Sequence, residues 1–534
     1  MHHRRNNKNA KTASVSRKRS RVLRNASTRF GGYKKTKNTA LDARASAADG
    51  YDEDEENGGV VSDDVIANDE NKLYALSFSA CLSMLADGAA CGCIAGALMY
   101  ISFSGFGGST IMLSSKIKGS IVAALPLGAA SACLVIGSKF VSELFGRKKI
   151  FHTANVLYLL SAGLASLSTS YAMLIFARYI SGLACGCSTT ITTVFISECV
   201  PAETRGKFTS LSPLFNTIGL MYAFISSLVI AFIFGANGVS DGGTQSSSLV
   251  WRLMLLVPIL PCLAQECIFR WRPKVCPESP RWLVDRGRVQ EAKEIMNNLG
   301  QSLPLNSVDV DDPKRVEDSG FWGLFKTAKH IKATSIACGL NMLQQFCGIN
   351  VIVYYAPKIL YSLGYGKIGS ILHTVLISTC QIIFGTFLSR KIDVYGRKNM
   401  AMVGICGIIS GCALLAFSFT SNAAFSMLGF AVNPGVLAII GILVFRVSFS
   451  LSLGPIPFVV ASEIFPKDAR SSGVALSTLV QWICNVLVTF TFLSFIENYG
   501  ACRVFIGYTI FGVGALASVF CFLDETAQTK LEDA

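Results

Sequence analysis

The stretch that decides the fold is polar, yet it lies inside an apolar segment long enough to cross a bilayer. It reads Gln344-Gln345-Phe346-Cys347-Gly348-Ile349-Asn350-Val351-Ile352-Val353-Tyr354-Tyr355. Amides and phenols in hydrocarbon are costly unless they face a cavity or one another. On an unbroken helix, Gln345 and Asn350 would point about 140° apart. Either the polar groups therefore surround a water-filled cavity, or the helix loosens at Cys347-Gly348.

The chemistry of these side chains limits what they would bind. Amides offer donors and acceptors without charge. They suit a neutral, hydroxyl-rich ligand better than an ion. The alternative is that the polar groups only tie helices together.

Composition places the chain in a membrane. Of its 534 residues, 51% are hydrophobic and 15% are charged, with a mean hydropathy of +0.47. Soluble domains have about 25% charged residues. Because a span needs about 20 apolar residues, the sequence predicts an all-α membrane protein with twelve spans: 75–102, 118–142, 151–169, 172–197, 208–235, 251–270, 331–360, 366–389, 400–420, 435–462, 470–495 and 501–523.

The net charge of +14 is not spread evenly along the chain. Residues 1–40 are rich in Lys and Arg and residues 52–70 are rich in Asp and Glu, so 1–72 is predicted to be a disordered cytoplasmic tail. The basic block is a solvated tail, a segment that binds anionic headgroups, or an organelle transit peptide. No other feature supports nucleic-acid binding. We expect the plasma membrane, with a plastid-like organelle membrane as the alternative.

The chain has 18 cysteines, most of them inside apolar segments, where they act as small hydrophobes. Cys91/Cys93 and Cys185/Cys187 form two C-x-C pairs. Because no His or carboxylate cluster is evident beside them, neither a metal site nor a cofactor is predicted. Only 5 histidines are present, and no catalytic constellation stands out, so the protein is not expected to be an enzyme.

Basic residues mark alternate loops, which by the positive-inside rule makes both termini cytoplasmic. The long polar connection at 271–330 divides the spans into two sets. We therefore predict a six-helix half at 73–270, a cytoplasmic helical connector at 271–330, a second half at 331–524 and a short cytoplasmic tail at 525–534.

An internal repeat supports two related halves. Glu198 to Arg205 and Glu463 to Arg470 both read E-x-x-P-x-x-x-R. Gly146-Arg147-Lys148 likewise matches Gly396-Arg397-Lys398, and the carboxylates Glu143 and Asp393 stand three residues before each glycine. The equal sidedness of the copies indicates a parallel repeat. These charges at cytoplasmic helix ends are predicted to gate the inner side, the alternative being charges that only orient loops.

With these residues in place, the chain resembles the sugar porter family of the major facilitator superfamily over about residues 75–532. The motifs that carry the resemblance are Pro277-Glu278-Ser279-Pro280-Arg281-Trp282-Leu283, Gln344-Gln345-x-x-Gly348-Ile349-Asn350 with Tyr354-Tyr355, Gly454-Pro455-Ile456-Pro457, Arg178 with Gly182 and Gly186, and Gln481-Trp482.

The resemblance implies a monosaccharide site between the halves. Amides would hydrogen-bond sugar hydroxyls and aromatic rings would stack on the sugar. The matching positions are Gln344, Gln345, Asn350, Tyr354, Phe449, Phe458, Gln481, Trp482 and Asn485. The expected gating residues are Glu143, Arg147, Glu198, Arg205, Glu278, Arg281, Asp393, Arg397, Glu463, Arg470 and Glu525.

The first predicted span departs from the family at a position that bears on energy coupling. Ala90 stands where proton-coupled relatives have Asp. Asp87, three residues earlier, is the alternative partner for Arg178 in span four, within about 60° of the same helix face. Pro213 and Cys380 also replace expected polar residues.

The sequence thus predicts a transporter that works by alternating access. Its expected substrate is a monosaccharide, a hexose similar to glucose. Facilitative uniport is favoured because Ala90 cannot titrate. The alternatives are a proton-coupled symporter of a sugar or of a polyol such as inositol, and a non-transporting sugar sensor. The expected partners are the sugar, the lipid bilayer and, for a symporter, a proton. The oligomeric state does not follow from the sequence.

Overall fold

The computed structural model describes residues 63–104, 110–111, 113–136, 145–201, 204–235, 244–300, 320–389, 396–420, 433–466 and 469–523. The sequence predictions for Glu143, Asp393, Glu525 and the basic block of the tail fall outside these residues. The described residues from position 67 onward form one compact unit.

Helices dominate the described residues. They are α1 Asp63–Ala97, α2 Ser115–Ile136, α3 Arg147–Ser166, α4 Tyr171–Cys199, α5 Arg205–Thr209, α6 Leu211–Ile230 with a π-helical turn at Ala231–Gly235, α7 Thr244–Leu255, α8 Ile259–Trp271, α9 Pro280–Asp285, α10 Val289–Asn298, α11 Gly320–Gly323, α12 Ala328–Phe346, α13 Ile349–Ser362, α14 Lys367–Ser389, α15 Arg397–Ser418, α16 Pro434–Leu451, α17 Ile456–Ile464, α18 Arg470–Tyr499 and α19 Ala501–Phe522. Two short strands, Phe103–Ser104 and Thr110–Ile111, pair antiparallel.

The predicted all-α membrane class is confirmed. Within the described ranges, 11 helical segments are long and apolar enough to cross a membrane. Helix α3, at the third predicted span, is not one of them. It begins with the charged residues Arg147, Lys148 and Lys149 and then carries His152 and Asn155, which lower its mean hydropathy.

Helix α1 begins at Asp63, whereas the predicted disordered tail extends to residue 72. The last part of that predicted tail is therefore helical, and the prediction is wrong there. Hydropathy does not predict this helical segment because acidic residues such as Asp69 and Glu70 lower its mean hydropathy. Acidic residues such as Asp63 and Asp64 favour the N-terminal end of a helix, where backbone N–H groups are unpaired.

The seventh predicted span is broken at Cys347-Gly348, the place that one of the two sequence alternatives named. Helix α12 ends at Phe346 and α13 begins at Ile349. Gly348 connects them with a φ of 92°, in the left-handed region that favours glycine. A Cβ at Gly348 would also lie 3.1 Å from the ring of Tyr508. Of the two alternatives, the loosened helix is confirmed.

Small residues let neighbouring helices approach closely. Helix α2 packs on α4. A Cβ at Gly182 would lie 2.0 Å from the carbonyl oxygen of Leu125, and one at Gly128 would lie 2.1 Å from that of Tyr179. Glycine is therefore required at this crossing.

The two predicted halves meet through α2 with α18 and through α6 with α14. Between α2 and α18, a Cβ at Gly119 would lie 2.6 Å from the carbonyl oxygen of Phe490. Between α6 and α14, the Thr379 hydroxyl donates to the Met221 sulfur at 3.6 Å. The largest apolar core cluster contains residues of both halves, among them Trp251 and Phe445. This packing places the broken span beside helices of the other half.

Candidate functional site

The break in the seventh span is held against a second break, in the tenth. The amide nitrogen of Gln344 donates to the carbonyl oxygens of Leu453 at 2.7 Å and Gly454 at 3.2 Å. These carbonyls lie between α16 and α17. In a continuous helix the Leu453 carbonyl would accept from the N–H of residue 457, but that residue is Pro457, which has none. Gln344 therefore supplies the donor that the proline removes.

The remaining amides of the stretch bind one another. Gln345 donates to the side-chain oxygen of Gln344 at 3.1 Å, and Asn350 donates to the side-chain oxygen of Gln345. Gln344 and Gln345 are buried, and Asn350 is half-buried. The fold therefore joins three residues that were predicted to bind the sugar in one series of hydrogen bonds. Asn350, at the end of this series, is the most accessible of the three.

Tyr354 and Tyr355 point to different neighbours. The Tyr354 hydroxyl lies 3.8 Å from the sulfur of Cys91 in α1, across the two halves. The Tyr355 hydroxyl donates to the carbonyl oxygen of Thr489 in α18 at 3.1 Å. The phenols thus connect α13 to both α1 and α18.

The predicted aromatic residues differ in accessibility. The Phe458 side chain is exposed and Phe449 is half-buried. The Phe449 carbonyl accepts from Gly454 at 2.8 Å, which closes the turn between α16 and α17.

Helix α18 carries Gln481, Trp482 and Asn485. Trp482 belongs to the same buried cluster as Ala90 of α1 and Cys185 of α4, so this cluster contains residues of both predicted halves. Gln481 is half-buried. The buried side-chain oxygen of Asn485 accepts no hydrogen bond from the described residues.

The two residues predicted for coupling have separate partners. The guanidinium of Arg178 donates to the carbonyl of Ala90 at 2.6 Å. Asp87 accepts from Asn216 at 2.8 Å and lies 3.9 Å from the sulfur of Cys91. Arg178 thus contacts the residue that replaces the family's Asp, through the backbone. A small cavity lined by Ala90 and Arg178 lies beside it.

One buried cation was missed. Arg446 in α16 is fully buried, and its Nε donates to Gln381 of α14 at 2.6 Å. Gln381 in turn donates to Ser450 at 2.8 Å. The sequence signal was an arginine inside a predicted membrane span, 435–462. The same kind of signal pointed to Arg178.

In the first predicted half, the charges that the sequence places on the cytoplasmic side form a cluster around Arg147. Its guanidinium binds Glu198 through two bonds, of 2.9 Å and 2.8 Å, and Ser279 donates to the same carboxylate at 2.6 Å. Glu278 accepts from the backbone N–H groups of Arg147 at 2.8 Å and Lys148 at 3.2 Å. It thereby caps the N-terminus of α3.

The second half repeats the pair. Arg397 donates to Glu463 at 2.9 Å. In both halves the arginine of the G-R-K motif therefore meets the glutamate of the E-x-x-P motif, and each pair lies within one half. Arg470 instead donates to the carbonyl of Phe465, at 3.3 Å and 3.4 Å. Arg205 and Arg281 are exposed.

Taken together, uncharged amides and phenols lie where two broken spans meet, with aromatic rings nearby. Such groups hydrogen-bond a neutral polyhydroxyl ligand. The two ion pairs lie at the ends of helices that the topology assigns to the cytoplasmic side.

Comparison with known proteins identifies the family of the chain. A family model described as "Sugar (and other) transporter" matches residues 76–534. The chain is 30% identical over 451 residues to Plastidic glucose transporter 4 of Arabidopsis thaliana, covering 83% of this chain and 75% of that protein. It is 29% identical over 430 residues to the arabinose-proton symporter of Bacillus subtilis, covering 79% and 86% respectively.

Among solved structures, the inward-open xylose transporter XylE of E. coli superposes with a TM-score of 0.69. The two are 24% identical, and the match covers 86% of this chain and 98% of that one. This likeness shows the fold. Because the family model matches most of the sequence, the chain belongs to the family described as "Sugar (and other) transporter" and is an integral multi-pass membrane protein.

Proposed function

We propose that this protein carries a monosaccharide, a glucose-like hexose, by facilitative uniport. The observation that carries the proposal is the chain of uncharged amides from Gln344 to Asn350 at the break between α12 and α13. The glucose transporter of Arabidopsis among its relatives supports a hexose.

Sugar would bind by exchange of hydrogen bonds. Sugar hydroxyls both donate and accept, so they can replace the bond between Asn350 and Gln345 without leaving a buried group unpaired. Gln344 stays bound to the α16–α17 turn in this scheme. The exposed ring of Phe458 offers an apolar face for the sugar.

Alternating access requires the cytoplasmic ends of the helices to separate. We assign the pairs Arg147–Glu198 and Arg397–Glu463 to the cytoplasmic gate. Each pair fixes two helix ends within its own half, and Ser279 adds the start of the connector to the first pair. The repeat of one pair in both halves supports a shared role.

Uniport is supported by the surroundings of Ala90. A symporter needs a membrane carboxylate whose protonation changes during the cycle. Arg178 donates to the Ala90 carbonyl, whereas Asp87 accepts hydrogen bonds from Asn216, Cys91 and Cys185. The shifted pair predicted between Asp87 and Arg178 therefore has separate contacts in this conformation.

Proton symport is the second candidate. Asp87 is buried, with 2% of its surface exposed. Several relatives are named proton symporters, including the galactose-proton symporter of Escherichia coli. We place the protein in the plasma membrane, with the plastid as the alternative that the Arabidopsis relative supports.

The test is uptake of labelled hexoses and pentoses into liposomes that contain the purified protein, with and without a pH gradient. We expect saturable hexose uptake and counterflow that a proton gradient does not accelerate. Absence of sugar uptake, with folded protein, would overturn the proposed function.

Sugar-induced alkalinisation of a weakly buffered medium distinguishes the two modes. Alkalinisation that disappears in Asp87→Asn, while sugar exchange persists, would establish symport in place of uniport. Thr217→Val serves as a control in the same region, because among the described residues the Thr217 hydroxyl donates only within its own helix, to the carbonyl oxygen of Pro213 at 3.0 Å.

A further inference from the structure

Three metal-ligating side chains converge between α1 and α4. Asp87 and Cys91 lie one helical turn apart on α1, and Cys185 faces them from α4. One carboxylate oxygen and the two sulfur atoms all lie within 4.8 Å of one another. We propose that Asp87, Cys91 and Cys185 form a binding site for Zn²⁺.

The ligand set matches the ion. Zn²⁺ prefers thiolate, imidazole and carboxylate ligands in a tetrahedral arrangement, and three protein ligands leave one position open. Zinc–ligand bonds of about 2.0–2.3 Å put ligand atoms about 3.3–3.8 Å apart. The distance from the Cys91 sulfur to the Asp87 oxygen is 3.9 Å. The three atoms therefore need only small movements to close on an ion.

Charge also balances at this place. Two thiolates and a carboxylate carry three negative charges, which Zn²⁺ and one arginine neutralise. Arg178 donates to the carbonyl of Ala90, the residue before Cys91, and its Nε and Nη2 lack a hydrogen-bond partner among the described residues. A guanidinium so buried needs a nearby negative charge. Binding releases the thiol protons.

A second layer of contacts orients the ligands, as it does in known metal sites. Asn216 donates to the other oxygen of Asp87 at 2.8 Å, leaving the first oxygen for the metal. The Tyr354 hydroxyl lies 3.8 Å from the Cys91 sulfur. Cys91 is half-buried while Asp87 and Cys185 are buried, so an ion approaches from the Cys91 side.

The other cysteine of each C-x-C pair behaves differently. The Cys93 thiol donates to the Ala90 carbonyl of its own helix at 3.4 Å. Cys187 lies in a separate apolar cluster, with Phe151 and Phe195. These two thiols act as small hydrophobes. They provide matched controls, because a Cys→Ala substitution at either position removes a buried thiol that is not one of the three proposed zinc ligands.

Occupancy has a consequence for transport, which rests on the proposed function. A metal ion bound by Cys91 occupies the sulfur that faces Tyr354 and fixes α1 to α4. Tyr354 belongs to α13, in the other half, which moves relative to α1 during alternating access. We therefore expect Zn²⁺ to inhibit sugar uptake.

The binding test uses purified full-length protein stripped of metal and titrated with Zn²⁺ against a chromophoric chelator. We expect one ion per chain. Cys91→Ala and Cys185→Ala should each weaken binding at least tenfold, whereas Cys93→Ala and Cys187→Ala should bind as the wild type does. Size-exclusion chromatography confirms that each variant is folded. Equal affinity in all four variants, or no binding to the wild type, would overturn the site.

Sugar uptake into liposomes provides the second arm. Zn²⁺ should inhibit the wild type and both controls, and should not inhibit Cys185→Ala. Zinc binding without inhibition would refute the effect on transport. Zinc binding by a protein that takes up no sugar would refute the proposed function and leave the metal site standing. Sugar uptake without zinc binding would do the reverse.

Discussion

Replacing Gln344 by methionine tests whether this residue holds the two broken spans together. Methionine keeps the length of the side chain and removes its amide. The carbonyls of Leu453 and Gly454 would lose their Gln344 donor, and Leu453 has no helical substitute because residue 457 is proline. Leu453 is fully buried, so water does not replace the bond.

The expected loss follows from the two bonds. Interhelical hydrogen bonds in membrane proteins contribute on average about 0.6 and at most about 1.7 kcal/mol each. Two of them give about 1–3 kcal/mol, and the Leu453 bond, at 2.7 Å, should be the stronger. Gln344→Met should therefore unfold at a clearly lower temperature than the wild type.

The assay is thermal unfolding of purified protein in detergent, combined with Pro457→Ala. Alanine at 457 restores an N–H for the Leu453 carbonyl, so Gln344→Met should cost less in that background. A coupling of about 1 kcal/mol between the two substitutions is expected. Strictly additive effects, or a Gln344→Met protein as stable as the wild type with weakened sugar binding, would refute the structural role.

The remaining predictions concern binding, gating and packing. Asn350→Ala should weaken sugar affinity by about 1–3 kcal/mol with unchanged folding, measured by sugar competition, since it removes a bond to a hydroxyl; unchanged affinity would exclude Asn350 from the site. Glu198→Gln and Glu463→Gln should each increase labelling of the cytoplasmic cavity, and no change in labelling would count against the gate. Gly182→Ala should destabilise the α2–α4 crossing strongly, whereas Gly163→Ala, with nothing within 4 Å, should be neutral; equal melting of the two would contradict the close packing.

The sequence alone predicted the membrane-spanning helical fold and the repeat of the charged motifs, and it included a break at Cys347-Gly348 as one of two alternatives. These features are local. Hydropathy sums over neighbouring residues, and the conflict between amides and hydrocarbon lies within one stretch of twelve residues. The two repeated motifs also predicted ion pairs between their arginines and glutamates. They left open which arginine meets which glutamate.

Only the tertiary structure decided which distant side chains meet. Gln344 reaches a carbonyl 109 residues away, and Arg147 and Glu198 are 51 residues apart. Asp87 and Cys91 lie one turn apart on α1, although the sequence analysis did not connect them, and Cys185 joins them only because α1 and α4 pack with those faces together. Helical periodicity defines the faces of each helix, whereas the packing of small residues between helices sets which faces touch.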